Sequence, residues 1–185
     1  MALSRDEVVA TAVGLLRRYG LGDLTMRRLA RELGVAPGAL YWHVANKQEL
    51  LVEVADALLS EIPPAPQGHP PAEALAGLCV AVRDALVQVP DAADVVGMAY
   101  AVDPGATRAL RDVARLVHDA GAPASERDEV AALVVHHVLG SIGGQQNRGL
   151  AALGDPDLPP PDPASEAKAF EVGLAVVIRG IERSH

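Results

Sequence analysis

One short stretch, residues 25–47, TMRRLARELGVAPGALYWHVANK, gathers basic, hydroxyl and aromatic side chains able to grip a polyanion. Arg27, Arg28 and Arg31 come first, then Tyr41, Trp42 and His43, with Lys47 just beyond. Basic and hydroxyl groups fix a protein on phosphate oxygens, while a helix laid in the major groove reads base edges. The whole chain of 185 residues carries a formal charge of −8, which argues against a generally sticky nucleic-acid binder. The charge is uneven: residues 1–48 hold seven Lys/Arg against four acids, and the remainder nine against twenty. A basic head on an acidic body orients a protein on DNA and keeps the body off it.

Other candidate chemistry is thin. His136 and His137 are adjacent, so on a helix they point about 100° apart and cannot chelate one ion from one face. His69 and His118 lie elsewhere, and no Cys/His ligand spacing occurs, so no metal site is expected. The run GSIGG (140–144) lacks the strand and the spacing of a nucleophile elbow. No phosphate loop or standout carboxylate pair is present, so neither enzymatic activity nor a cofactor is expected. Cys79 is the only cysteine and sits in an Ala/Leu/Val run, which reads as a small buried hydrophobe in a reducing compartment. With no apolar leader and no run of membrane-spanning length, a soluble cytoplasmic protein without membrane contact is expected.

The elements that must hold the 25–47 side chains are helices. Thr25 is placed to cap a helix carrying Leu29, Ala30 and Leu33 on one face, and Gly34 stops it. Pro37 opens a second helix running to about Val44, with Leu40 turned inward. Two helices and a tight turn make a helix-turn-helix. Before it, Ser4 and Glu7 form a capping box, and Val8, Ala12, Leu15 and Leu16 stripe a scaffold helix ending at Tyr19-Gly20, with Tyr19 read as a core aromatic. After it, Asn46 caps a connecting helix over 47–62.

The proline-rich stretch 63–71 marks the boundary between head and body. Helices are expected over 72–89, 92–102, 107–120, 125–146 (capped by Ser125) and 165–183, with a loop over 149–164. Half the residues are apolar but only five aromatic, the Ala/Val/Leu mass of helix-on-helix packing. The fold class is all-α, divided as a helix-turn-helix domain over 1–46, the connector, and a helical body over 63–185. The helices 125–146 and 165–183 are apolar nearly all round, which calls for partners on both flanks, one of them a second copy of the chain.

The stretch LTMRRLARELGVAPGALYWHVANKQELL resembles the DNA-binding domain of the TetR family of repressors, and YWHVANK is especially similar to its tetracycline-repressor branch. HHVLGSIGGQQ (136–146) more weakly resembles the dimerising helix of that branch. The resemblance implies contacts to double-stranded operator DNA from Arg27, Tyr41, His43 and Lys47, and a four-helix dimer interface from two helices of each chain. The full candidate DNA face adds Thr25, Arg28, Pro37, Gly38, Ala39 and Trp42. Pro37, Gly38 and Ala39 depart from the branch and offer no base-reading hydrogen bonds, so the operator should differ.

An effector site is implied inside the body. Its candidates are polar or adaptable groups on apolar helices: Met98, Tyr100, Leu110, Ala114 and Val117, then His118, Leu133, His137, Gln145 and Asn147. The branch's magnesium-binding histidine has no counterpart in residues 92–102, which weighs against magnesium–tetracycline as effector. The expected function is a homodimeric repressor released from a palindromic operator by an unknown small molecule. An activator or corepressor-dependent regulator, and a ligand-sequestering protein with an inactive head, are the rival readings.

Overall fold

Caps and apolar stripes give nine helices and no strand among residues 3–65 and 68–183, the residues described in this computed structural model. Pro66 and Gln67 of the proline-rich loop lie outside them. Helix α1 (Arg5–Asp23) opens with the capping box: Ser4 Oγ accepts the Glu7 N–H, and the Glu7 carboxylate accepts that of Ser4. Its ladder breaks at Gly20, where φ is +74°. A Cβ at Gly20 would lie 2.6 Å from the Asp91 carboxylate, so both the conformation and the space require glycine. That carboxylate also accepts the Leu21 N–H at 2.7 Å, which ties the end of α1 to the body.

Helices α2 (Met26–Glu32), α3 (Pro37–Leu40) and α4 (Lys47–Leu59) complete the head. Val8, Leu15, Leu16, Leu29, Leu40 and Val54 are fully buried between them. Each such side chain contributes roughly 1.5–3 kcal/mol, more than any exposed ion pair on this surface, such as Arg5 with Glu49 and Glu53. The second helix of the motif is shorter than its sequence predicts. The helix stops at Leu40 and continues as hydrogen-bonded turns to Val44, because the Ala45 N–H is taken by the Glu49 carboxylate at 2.6 Å rather than by the preceding ladder. Likewise the connecting helix ends at Leu59, with Ile62 packed inward beyond it.

The body holds α5 (Pro71–Leu86), α6 (Ala92–Val102), α7 (Arg108–Asp119), α8 (Arg127–Gly154) and α9 (Pro163–Glu182). The last two differ from expectation. Ser125 makes no cap; Glu126 holds that position without a side-chain bond. Helix α8 runs 28 residues, well past 146, because Leu150, Ala151, Ala152 and Leu153 are strong helix formers, and the loop shrinks to 155–162. Asp162 caps α9 through the Ser165 N–H and hydroxyl, so this helix begins two residues early, at Pro163.

The connector α4 packs against α6, α5 against α7, and α8 against both α7 and α9. Two polar ties cross these joints. The Gln146 amide on α8 donates to the Val89 carbonyl at 2.8 Å, in the turn before α6. The Arg108 guanidinium donates to the Ile62 carbonyl at the foot of the head. The α5–α6 turn therefore touches both α8 and α1, with Asp91 in the left-handed region at φ 56°.

Candidate nucleic-acid interface and effector cleft

The head seals its apolar side and leaves an aromatic and basic one in solvent. Leu40 and Val44 are fully buried, whereas Tyr41 is 54% and Trp42 89% exposed. That alternation follows from the turns after Leu40, which carry consecutive side chains away from the core. Side by side, these two rings present an aromatic surface open to an external partner. Pro37 and Gly38 are exposed beside it, Ala39, His43 and Lys47 are half-buried, and Arg27 is exposed on α2. Thr25 Oγ1 accepts the Arg28 N–H at 3.1 Å and so starts α2.

Two residues are used differently than the sequence implies. The Arg28 guanidinium is engaged within the chain, paired with Asp23 and lying 4.1 Å over the Tyr19 ring. Tyr19 is no core aromatic: it is 47% exposed, and its ring is a platform for Arg28 and Arg18. A phenol hydroxyl is costly to bury without a partner, whereas its ring face attracts a guanidinium at the surface.

In the body, a cleft of about 610 Å³ opens between the end of α6, the α6–α7 turn, α7 and α8. Tyr100, Leu110 and Ala114 of the expected effector set line it. The others do not come together there. Val117 is fully buried core, and Met98, His118, Leu133 and Asn147 are exposed on the single chain. Gln145 accepts a hydrogen bond from the buried Arg83 at 2.8 Å, and His137 stacks on Phe170 with ring centroids 5.4 Å apart.

Sequence reading missed Asp128, Glu129, His136 and Leu139 as lining residues. Their signal was present: 128, 132, 135, 136 and 139 recur at helical spacing on one face of α8, with the bridging alanines too small to stand out. His136 and His137 do diverge. The first meets Tyr100 edge-on across the cleft at 6.1 Å, the second faces α9. Among the described residues no group of three His, Cys, Asp or Glu side chains is arranged to hold a metal ion, and no helix is long and apolar enough to cross a membrane.

The comparisons agree with this geometry. A family model described as bacterial regulatory proteins, tetR family, matches residues 8–54. The class A tetracycline repressor from transposon 1721 of Escherichia coli is 32% identical, over 98% of this chain and 91% of that protein. The crystal structure of Mycobacterium smegmatis BioQ superposes with TM-score 0.85 at 35% identity, covering 99% of each chain. BioQ with its double-stranded DNA operator gives 0.80 at 35%, over 97% of this chain and 98% of that one. Streptomyces coelicolor ActR in complex with (S)-DNPA gives 0.78 at 27%, over the full length of both. A family match over the head and likeness to such regulators over nearly the whole chain place it: the chain belongs to the TetR family of DNA-binding transcriptional regulators.

Proposed function

We infer that the protein is a homodimeric repressor, bound to a palindromic operator when empty and released by a small molecule held in the body. The observation that carries the DNA half is the exposed Tyr41–Trp42 pair on a head whose neighbouring Leu40 and Val44 are sealed. Residues 1–46 form the reading unit in this reading, 47–62 the connector, and 63–185 the effector and dimerisation unit. Arg27, Tyr41, Trp42, His43 and Lys47 contact DNA, and Arg28 supports them from behind through Asp23 and Tyr19.

The second subunit is called for by apolar side chains left in solvent on the last two helices. Leu133 on α8 and Val172 and Val176 on α9 are each more than half exposed. Pairing these helices across a two-fold axis covers them and sets two reading helices in successive major grooves, about 34–36 Å apart. A ligand in the α6–α8 cleft wedges against the helix on which α4 rests, and so shifts the separation of the heads. The shift can be no larger than the ligand's preference for one arrangement over the other.

Selection of bound sequences from a random duplex library, at near-physiological salt and without added ligand, tests this. A palindromic motif is the expected result. Enrichment only in the presence of a cell extract would make the protein corepressor-dependent. No enrichment under either condition would leave the head unable to read DNA.

A further inference from the structure

The walls of the α6–α8 cleft define a ligand chemistry. Its lining is mostly apolar and mixes small residues such as Ala114, Ala131 and Ala132 with Leu110, Val135 and Leu139. Such a lining is apolar and takes a hydrocarbon or ring body. At one end stand Tyr100 and His136, edge to face. At the rim, one turn from the start of α8, stand Asp128 and Glu129.

No lysine or arginine lines the cleft. The three arginines of α7 are committed elsewhere: Arg108 to the Ile62 carbonyl and Asp112, Arg111 to the Gly105 carbonyl, and Arg115 to Asp112 and Asp119. None of the ion pairs among the described residues includes Asp128 or Glu129. Acids in a first helical turn ordinarily complement the helix dipole. These two also border a space large enough for a drug-sized molecule. The field of Asp128 reaches the cleft's aromatic wall: burial first, and then the Asp128 charge, push the Tyr100 hydroxyl above its ordinary titration range.

We propose that the effector is an amphipathic organic cation. Its apolar body lies against the apolar lining of the cleft, and its cationic nitrogen sits by the Asp128 carboxylate near Tyr100, with Glu129 adding negative charge at the same rim. An anion of the same shape would meet two carboxylates that no ion pair neutralises, and a neutral one would gain only the apolar lining. This assignment rests on the reading of the cleft as the effector site.

The test uses the intact protein and three fused-ring dyes that differ in charge: rhodamine 6G as cation, Nile red as neutral body and fluorescein as anion, each titrated by fluorescence anisotropy. Rhodamine 6G is expected to bind at least about tenfold more tightly than Nile red, with no fluorescein binding, the scale of one charge-assisted contact. The rim variant D128N/E129Q should lose that tenfold for rhodamine 6G and leave Nile red within about twofold. Both side chains are exposed, so this variant should keep the fold, which circular dichroism checks. A132W, which puts an indole into the cleft from its lining, should abolish binding of both dyes. Equal binding of cation and neutral dye, no binding of any dye, rhodamine binding unaffected by D128N/E129Q, or rhodamine retained by a folded A132W would each overturn the proposal. None of these readouts needs an operator. A head that enriches no DNA defeats the repressor reading alone, and an enriched palindrome without cation preference defeats the ligand class alone.

Discussion

Tyr41 and Leu40 are neighbours with opposite jobs, and single substitutions should separate them. Tyr41 is more than half exposed and Leu40 is fully buried. Replacing Tyr41 by Ala should leave the midpoint of urea unfolding nearly unchanged, within about 0.5 kcal/mol, as at most surface sites. The same change should weaken operator binding by about 1–3 kcal/mol, the scale of a base contact, or roughly 5- to 150-fold in a gel-shift titration. Loss of folding together with binding would make Tyr41 a core residue, contrary to its exposure. Leu40 itself belongs to stability: truncation of a buried leucine costs about 2–5 kcal/mol.

At the scale of elements, α8 and α9 come close enough at one point for a glycine to matter. Gly173 on α9 faces the His137 ring, and a Cβ there would come within 2.4 Å of its Cε1. The ring cannot swing aside freely, because it stacks on Phe170 and its Nε2 lies 3.1 Å from the Phe170 carbonyl. Gly173→Ala should therefore destabilise the protein by about 1–3 kcal/mol through overpacking, although alanine is the better helix former. Trimming the obstacle tests the cause: in the double variant H137A/G173A, thermal unfolding should show the glycine substitution no longer adding to the loss. Equal costs of G173A with and without His137 would mean that the ring is not what excludes the methyl.

For the whole molecule, assembly and DNA binding should fail together when the open flank of α8 and α9 is charged. Val172 and Val176 are 57% and 56% exposed on the single chain. V172D/V176D should keep native helix content, since neither side chain is in the core, while sedimentation shows a monomer. Its operator affinity should fall by orders of magnitude, because one reading head loses the second half-site held at about 34–36 Å. A dimer that survives this change would place the second subunit on another face.

Much of this was legible in the chain alone, for a physical reason: caps, breaks and apolar spacing are local. Ser4 with Glu7, Thr25, Asn46 and Thr107 each bind a backbone N–H three residues on, so four helix starts could be read directly. The basic and aromatic residues of the head lie close in sequence, so their grouping was visible too. What needed tertiary structure was everything decided by partners distant in the chain. Gly20 is required because Asp91, 71 residues away, occupies the space of its Cβ. The cleft was hidden for the same reason. Its lining comes from three helices, and only the packing of α6 and α7 on α8 brings Tyr100, Leu110 and Ala114 beside Asp128 and Glu129.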